Sequence, residues 1–218
     1  VLMQSVGIKP VVVHGGAPQI GSMLDRLGMD SQFVDGLRVT DSDTLDVARM
    51  VLVGKVNRDI VSSINIHGPL AVGISGEDAG LITATSRHED LGFVGEIQAV
   101  NPTIINGLLK EGHIPIVSSI GADDKGQAYN INADTVASSL AAALEAKRIL
   151  YLTDIEGLRA DMEDPESHIS EITSSDLQNL IDNGTISGGM IPKAQACLEA
   201  VEAGVGSAHM VDGRISHV

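Results

Sequence analysis

Short apolar runs alternate with longer segments of helical periodicity from one end of this chain to the other. This alternation is typical of βα repeats, because two parallel strands need a long crossover connection that is usually a helix. We therefore predict an α/β fold in which helices cover a mainly parallel sheet. The predicted strands are Pro10–His14, Leu70–Ile74, Ile114–Ser118, Arg148–Thr153 and Ala208–Val211.

The longest predicted helix is Asp43–Ile64. The turn signal at Asp123–Gly126 predicts a hairpin between Ile120 and Tyr129. Phe93–Ile97 is predicted as a further antiparallel segment, so we expect a mixed sheet rather than a purely parallel one. The shorter predicted helices are Pro102–Glu111, Ala133–Leu144, Ser175–Asn183 and Pro192–Ala203.

The composition fits this architecture. The chain has 218 residues, of which 43% are hydrophobic and only 2% aromatic. A core built from aliphatic side chains suits buried parallel strands. The length allows one α/β unit or two small lobes, and a lobe boundary is predicted near Ala146–Lys147, which divides the chain into 1–146 and 147–218.

The net charge of −15 argues against a nucleic-acid-binding protein, because phosphate contacts need clustered Lys and Arg. In so acidic a chain, a site for phosphate or carboxylate has to be assembled from a few basic residues and backbone N–H groups. Only six lysines are present, so each lysine beside a Gly-rich turn is a candidate for such a site.

The sequence also bears on the cell compartment. Cys197 is the single cysteine and can form no internal disulfide, and the sequence contains neither a signal-peptide pattern nor a membrane-spanning apolar run. These features predict a cytoplasmic protein. The chain begins at Val1 rather than Met, so we expect the natural protein to be longer.

A Gly-Gly turn follows the first predicted strand. Gly15 and Gly16 let a ligand approach the backbone, and the helix that follows offers free N–H groups and a partial positive charge. The turn is either an anion site or a tight βα connection without a ligand. It lacks the G-x-G-x-x-G spacing, and the chain contains no Walker A motif, which excludes P-loop NTPases.

Two further segments have both a functional and a structural interpretation. Arg38 precedes a helix cap predicted at Thr40 or Asp41, and its guanidinium suits bidentate carboxylate recognition, although loop arginines are usually solvated. Asn130 and Asp134 flank the start of an Ala-rich helix, where Asn caps a helix and Asp favours its positive end. In the functional interpretation, Asn130 points its amide at a ligand and Asp134 orients nearby cationic groups.

The segment Gly188–Lys193 breaks a local rule. Pro192 fits the first position of a helix, so Lys193 lies in the first turn, where a cation opposes the helix dipole. Such placement is expected at functional sites, and we interpret Lys193 as a partner for an anion at the helix N-terminus. Thr153–Gly157 follows a strand at the edge where α/β sheets bind ligands, which indicates a nucleotide edge.

Other chemistries lack their motifs. The sequence has no G-x-S-x-G nucleophile elbow. Its histidines show no H-x-x-x-H spacing and Cys197 has no C-x-x-C partner, so no zinc site is predicted and no metal-binding residue is assigned. Cys197 instead belongs with Leu198 and Val201 to the buried stripe of the last helix.

Eight segments, taken together, resemble one family. They occur in the family's order and cover essentially the whole chain, which is similar to the N-acetylglutamate kinases of the amino acid kinase family. The matching segments are His14–Ile20, Asp35–Thr40, Gly73–Leu81, Gly92–Ile97, Tyr129–Asp134, Leu152–Leu158, Gly188–Lys193 and Asp212–Arg214.

The resemblance implies a three-layer αβα sandwich, with a substrate-binding and dimerisation lobe followed by a nucleotide-binding lobe. It implies phosphoryl transfer from ATP with Mg²⁺ to the γ-carboxylate of N-acetyl-L-glutamate, the second step of arginine biosynthesis. It also implies a homodimer or a homohexamer, with arginine as the feedback inhibitor of some members.

The resemblance assigns roles to individual residues. Lys193 stabilises the transferring phosphoryl group, and Asp134 organises the lysines around it. The residues expected to bind N-acetylglutamate are Gly16 and Ala17 through backbone N–H groups, Arg38 through the α-carboxylate, and Asn130. The residues expected to bind the nucleotide are Thr153, Asp154, Gly157, Gly189 and Met190.

The chain departs from the family pattern in three places. The family's Lys-x-Gly-Gly strand should precede Val1, and its C-terminal segment should follow Val218. Ala17 stands where the family has a third glycine, which would strain the turn if that position needs φ above zero. The alternatives are a kinase acting on N-acetyl-α-aminoadipate, which is one methylene longer, and a non-catalytic binding protein.

Overall fold

The computed structural model describes residues 1–34, 36–154, 157–159, 167–186 and 190–216. Contacts divide the chain into two compact units, Val1–Val136 and Ala137–Val218. This division falls within a helix, Ala133–Ala143, whereas the predicted boundary near Ala146–Lys147 lies just after it. The functions assigned to the two lobes from the sequence stay predictions.

The five predicted strands and their helices are present in the predicted order, and further short strands lie between them. The first unit contains α1 (Leu2–Ser5), β1 (Val12–His14), α2 (Ala17–Leu27), β2 (Phe33–Val34), β3 (Leu37–Arg38), α3 (Ser42–Arg49), α4 (Asn57–Asn65), β4 (Ala71–Ser75), β5 (Ile82–Ser86), β6 (Gly95–Val100), α5 (Thr103–Lys110), β7 (Ile114–Ser118), β8 (Ile120–Ala122) and β9 (Ala128–Asn130). After α6 (Ala133–Ala143), the second unit contains β10 (Ile149–Thr153), β11 (Leu158–Arg159), β12 (His168–Ile169), α7 (Ser174–Asp182), α8 (Met190–Glu202) and β13 (Ala208–Asp212). Within the described ranges, no helix combines the length and the apolar character needed to cross a membrane.

Three of the predicted strands form a wholly parallel sheet in the order β1, β7, β4. Its register places Val13 of β1 and Ile74 of β4 beside Val117 in β7. Every residue of β7 is buried, and α4 and α5 both pack against this strand. The predicted fold class, an α/β sandwich with a mainly parallel sheet, is therefore confirmed.

A second, mixed sheet has the strand order β6, β5, β8, β9. Its β8–β9 connection is the predicted hairpin, in which Asp123 Oδ1 accepts hydrogen bonds from the N–H groups of Lys125 and Gln127, both at 2.9 Å. β6 is the antiparallel segment predicted at Phe93–Ile97, displaced towards the C-terminus, and it pairs with β5. β5 is absent from the predictions because its sequence, Ile-Thr-Ala-Thr-Ser, contains no apolar run.

The single helix predicted over Asp43–Ile64 is wrong in its middle. A π-helix, Met50–Val56, separates α3 from α4. The Asn57 N–H donates to the Leu52 carbonyl, which is five residues back rather than the four of an α-helix. Val51 and Leu52 are buried, at 2% and 1% exposure, and continue the buried face that Thr44 and Leu45 begin in α3.

The second unit is built on the parallel pair β10 and β13, in which Tyr151 lies opposite Met210. The Tyr151 hydroxyl lies 2.7 Å from Ser138 Oγ and donates to the Ala196 carbonyl at 3.1 Å. Cys197 is buried in the surrounding hydrophobic core, as predicted for the last helix. The polar groups of this core therefore have hydrogen-bond partners.

The last helix, α8, begins at Met190, two residues before its predicted start at Pro192. Pro192 is consequently the third helical residue, a position at which the missing N–H has no intrahelical partner to lose. Lys193 directly follows it and is half-buried. The prediction of a lysine at the beginning of this helix is retained with the corrected boundary.

Candidate active site

The first unit contains a cavity of about 190 Å³ at the Gly-Gly turn. It brings together five residues singled out from the sequence: Gly16, Ala17, Arg38, Asn130 and Asp134. They come from α2, β3, β9 and α6, which are far apart in the chain. The remaining lining residues are Gly15, Ile20, Phe33, Gly36, Leu37, Leu52, Val94, Ser119, Ile131, Asn132 and Ala133.

The Gly turn, defined here as Gly15–Ala17, leads from β1 into α2. A Cβ atom on Gly15 would lie 3.2 Å from Ala133 Cβ, and one on Gly16 would lie 2.8 Å from Leu52 Cδ2. The absence of side chains therefore lets the backbone pass close to α6 and to the π-helix. Because no side chain caps α2, the N–H groups at its start are available to an anion in the cavity.

Ala17 is compatible with this turn. It is the first residue of α2, and among the described non-glycine residues it is not one of those with positive φ. The position therefore needs no glycine conformation, and an alanine there can present its N–H without backbone strain. The strain considered from the sequence is absent.

Arg38 lies on β3 and is buried, with only 8% of its surface exposed to solvent. Its Nη2 donates to the Ala17 carbonyl at 3.0 Å, its Nη1 donates to Ser31 Oγ, and its guanidinium carbon lies 4.5 Å from the centre of the Phe33 ring. Burial lowers the pKa of Arg38, and the nearby Asp25 carboxylate partly offsets that effect. Arg38 stays a cation at neutral pH, so it supplies a fixed positive charge beside the Gly turn.

Asn130 and Asp134 reach the cavity from either side of a helix cap. The cap is Asn132, whose Oδ1 accepts from the N–H groups of Asp134 at 2.9 Å and Thr135 at 3.1 Å. The structural interpretation, an asparagine that caps this helix, is therefore confirmed, and the cap is Asn132 rather than Asn130. Among the described residues, the hydrogen bond that the Asn130 side chain makes is a long one, 3.4 Å to Thr40 Oγ1, which leaves its amide able to contact a ligand in the cavity.

The same strand end carries a buried polar pair that motif analysis missed. His14, at the end of β1, lies 3.1 Å from the amide nitrogen of Asn57, the first residue of α4. Leu52 and Phe33 are also absent from the predicted site although both line the cavity. The sequence signal for His14 was its place at the start of the matched segment His14–Ile20, beside the glycines, whereas Phe33 lies outside the matched segments and no motif marks Leu52.

The predicted nucleotide residues belong to the second unit. Thr153 is buried at the end of β10, and the exposed Asp154 follows it. Gly157 has φ of 119° and a Cβ atom there would lie 2.6 Å from His168 Nε2, so glycine is required. Met190 begins α8 and is half-buried. Gly189 lies outside the described residues.

The chemistry of the cavity is that of an anion site. It combines the N–H groups of a helix N-terminus, one guanidinium and a carboxamide, which together recognise carboxylates and other polar acceptors. Within the described ranges, no group of three or more His, Cys, Asp or Glu side chains is arranged to hold a metal ion. The lining thus joins these donors and the Arg38 cation with one carboxylate, that of Asp134.

Comparison with known proteins gives a consistent result. Residues 1–212 match the sequence profile of the Amino acid kinase family. An acetylglutamate kinase from Pelotomaculum thermopropionicum is 50% identical over 229 aligned residues, which cover 100% of this chain and 78% of that protein. An acetylglutamate kinase from a Nostoc species is 52% identical over 218 residues, which cover 100% of this chain and 73% of that protein.

A solved structure with a similar fold is that of smu.665 from Streptococcus mutans. It superposes with a TM-score of 0.85 at 30% sequence identity, over 96% of this chain and 84% of that protein. The fold similarity thus extends over nearly all of the chain.

Proposed function

This chain belongs to the amino acid kinase family, and on that premise we infer that it phosphorylates the γ-carboxylate of N-acetyl-L-glutamate with ATP. The product is the acyl phosphate N-acetyl-L-glutamyl 5-phosphate, an intermediate of arginine biosynthesis. The observation that carries the proposal is the convergence of the Gly turn, Arg38 and Asn130 on one cavity. These groups match a substrate with two carboxylates and an amide.

The substrate needs alignment more than activation. Its γ-carboxylate is ionised at neutral pH and is already the nucleophile, so no general base is required. We propose that the N–H groups of Gly16 and Ala17 hold this carboxylate, while Arg38 binds the α-carboxylate and Asn130 hydrogen-bonds the acetylated end. Fixing the acid at both ends orients one γ-oxygen towards the phosphoryl donor.

The second reactant is ATP, which we propose binds the second unit at Thr153, Asp154, Gly157, Gly189 and Met190. Lys193 stabilises the charge on the transferring phosphoryl group, and Asp134 orients the cationic groups around it. Mg²⁺, bound with ATP, would supply positive charge that offsets the charge of the phosphates. We assign it no protein ligand, since phosphates and water can supply most of its coordination.

Three further properties are part of the proposal and rest on the family resemblance. We expect a homo-oligomer, either a dimer or a hexamer, and arginine as a candidate feedback inhibitor. We also expect a cytoplasmic enzyme, in keeping with a single, buried cysteine, Cys197. Size-exclusion chromatography with light scattering and an arginine titration of activity test the first two.

The reaction is tested by trapping the acyl phosphate as a hydroxamate. The chain, with its natural flanking sequence, is incubated with ATP, Mg²⁺ and one of four acids: N-acetylglutamate, N-acetyl-α-aminoadipate, glutamate or aspartate. We expect a clear preference for N-acetylglutamate. One extra methylene is worth about 1–3 kcal/mol of discrimination, so preference for the longer acid would redirect the proposal to that substrate. No turnover from folded protein would favour a non-catalytic binding protein.

Substitution of Lys193 tests the catalytic assignment. Removing one preorganised donor to transition-state charge typically costs about 3–4 kcal/mol, or roughly two to three decades in rate. We expect Lys193→Ala to lower kcat by about that factor with a smaller change in the KM for N-acetylglutamate. Lys147→Ala, at an exposed lysine in the same unit, is the matched control and should keep wild-type kinetics. Wild-type turnover by the folded Lys193→Ala variant would refute the role.

A further inference from the structure

His14 and Asn57 form a buried network at the carboxyl end of the parallel sheet. The His14 ring is held at both nitrogens: Nδ1 lies 3.0 Å from the Gly15 carbonyl oxygen, and Nε2 lies 3.1 Å from Asn57 Nδ2. The two residues are 8% and 0% exposed. The described part of the cavity lining includes Gly15 and Gly16 but not His14, so the imidazole lies behind the Gly turn.

The partners of Asn57 determine which way its carboxamide points. Its Oδ1 accepts from Arg58 Nη2, and an arginine can only donate. Its Nδ2 lies 2.9 Å from the Ile116 carbonyl oxygen, which can only accept. Both contacts require the same orientation, with the NH₂ group directed at the imidazole. Asn57 is therefore the donor to His14, and His14 Nε2 must be the acceptor.

This arrangement selects one tautomer of the imidazole. Because Nε2 accepts, the ring proton of neutral His14 is on Nδ1, and it points at the Gly15 carbonyl. Burial lowers the pKa of His14, and the Gly15 carbonyl only partly offsets this effect, so the ring is neutral at physiological pH. The exposed Arg58, donor to Asn57, is the charged group of the same network.

The Gly15 carbonyl and the Gly16 N–H belong to the same peptide group. A trans peptide is planar, with its C=O and N–H pointing in opposite directions. Holding the carbonyl oxygen on His14 therefore aims the Gly16 N–H away from the imidazole. Glycine residues leave this peptide free to rotate in the absence of such a hydrogen bond.

We propose that His14 is a positioning residue, which uses its Nδ1–H to lock the Gly15–Gly16 peptide so that the Gly16 N–H faces the substrate carboxylate. Asn57 in turn fixes the imidazole tautomer. The proposal rests on the proposed function, since it presumes that an anionic acid occupies the cavity. In this proposal, His14 contacts neither the substrate nor the nucleotide, but it sets the direction of the Gly16 N–H, which contacts the substrate.

Two substitutions of similar size separate positioning from packing. In His14→Asn, the side-chain amide nitrogen can take the place of Nδ1 and donate to the Gly15 carbonyl. In His14→Gln, the longer side chain takes the place of Nε2, reaching Asn57 and leaving the carbonyl unpaired. A misplacement of about 1 Å at a reacting group costs on the order of 100-fold in rate.

We expect His14→Gln to lower kcat by about 10- to 100-fold and His14→Asn to restore most of it, with the KM for ATP unchanged in both. Urea unfolding of both variants measures the packing contribution separately. Equal kcat values for the two variants would overturn the proposal. So would a fall in kcat that is, in each variant, in proportion to its loss of stability in urea. Lack of wild-type turnover with N-acetylglutamate would instead refute the proposed function.

The tautomer offers a test that does not depend on activity. In protein labelled with ¹⁵N-histidine, long-range ¹H–¹⁵N correlation spectra distinguish a protonated Nδ1 from a protonated Nε2. We expect His14 to be the Nδ1–H tautomer at neutral pH in the wild-type protein. In Asn57→Leu, which lacks the donor to Nε2, we expect both tautomers to be populated. A wild-type Nε2–H tautomer would overturn the proposal, whatever the kinetics.

Discussion

Arg38 is immobilised by protein groups before any ligand arrives. The Ala17 carbonyl, the Ser31 hydroxyl and the Phe33 ring hold its guanidinium from three directions. Because these contacts restrict the side chain, binding an acid costs it little further conformational entropy. They also depend on the planar, multidentate shape of a guanidinium, which an ammonium group lacks.

We therefore expect Arg38→Lys to raise the KM for N-acetylglutamate while leaving the KM for ATP near the wild-type value. A lost hydrogen bond to a charged group is worth about 1.5–3 kcal/mol, which corresponds to roughly a 10- to 100-fold rise in KM. Steady-state kinetics with each substrate varied in turn measures the effect. Arg26→Lys, on the exposed end of α2, is the control. An unchanged KM in Arg38→Lys would remove Arg38 from the site.

At the scale of the elements, the contact between the Gly turn and the π-helix joins two segments of the first unit. Leu52 is 1% exposed and packs so closely on Gly16 that a Cβ atom there would lie 2.8 Å from its Cδ2. Leu52 lies in the π-helix, on the buried face that continues from α3. Close packing of this kind makes the effects of substitutions at the two positions depend on each other.

A double-mutant cycle tests this coupling. We expect Gly16→Ala to lower the free energy of unfolding by about 1–3 kcal/mol through overpacking, and Leu52→Ala to lower it by about 2–5 kcal/mol through a cavity. The double variant should lose less than the sum, because the new methyl group enters the vacated space. Gly54→Ala, in the same π-helix with open space around it, is the control. Additive losses would show that the two residues are uncoupled.

The sequence predicted those parts of the fold and site that depend on local chemistry. Gly16, Ala17, Arg38 and Asn130 stand in recognisable motifs, and their meeting in one cavity follows from strand order, although their roles stay predictions. β5 could not be predicted, since its short polar sequence becomes a strand only through pairing with neighbours in the mixed sheet.

The network behind the Gly turn was unpredictable for a different reason. His14 and Asn57 are 43 residues apart in the chain, and each is an ordinary polar residue in its own segment. Their contact depends on how the end of β1 and the start of α4 pack together. A long-range hydrogen bond of this kind is a property of tertiary structure, which no local pattern encodes.

For the molecule as a whole, one titrating group in each unit, His14 and Asp212, predicts how the free energy of unfolding depends on pH. The lowered pKa of His14 means that the unfolded first unit binds a proton more readily, so stability falls as pH decreases through about 6.5. In the second unit, hydrogen bonds from Arg214 lower the pKa of Asp212 to about 2, so its contribution is present above about pH 4 and is lost towards pH 2.

We expect the urea midpoint to decline in two separate pH ranges, one just below neutrality and one between about pH 4 and pH 2. His14→Asn should flatten the first decline and leave the second, because it removes only the His14 imidazole. Asp212→Asn should reduce the second decline and leave the first, with the rest of the second decline coming from Asp41, whose pKa is lowered by the Thr44 N–H. A series of urea unfolding curves across this pH span measures both, and a variant that flattens the wrong range would contradict the assignment.

The π-helix also bears on a kind of change that side-chain substitutions do not sample, a change in chain length. A π turn holds about one residue more than an α turn, so the extra residue is taken up locally and α3 and α4 keep nearly the rotational phase of a continuous α-helix that is one residue shorter. Deleting one exposed residue of Met50–Val56, such as Gly54, would therefore let this segment relax to α geometry while Asn57 stays close to His14. In this chain, the middle of one helix can thus lose a residue without redirecting a backbone N–H at the end of a distant strand.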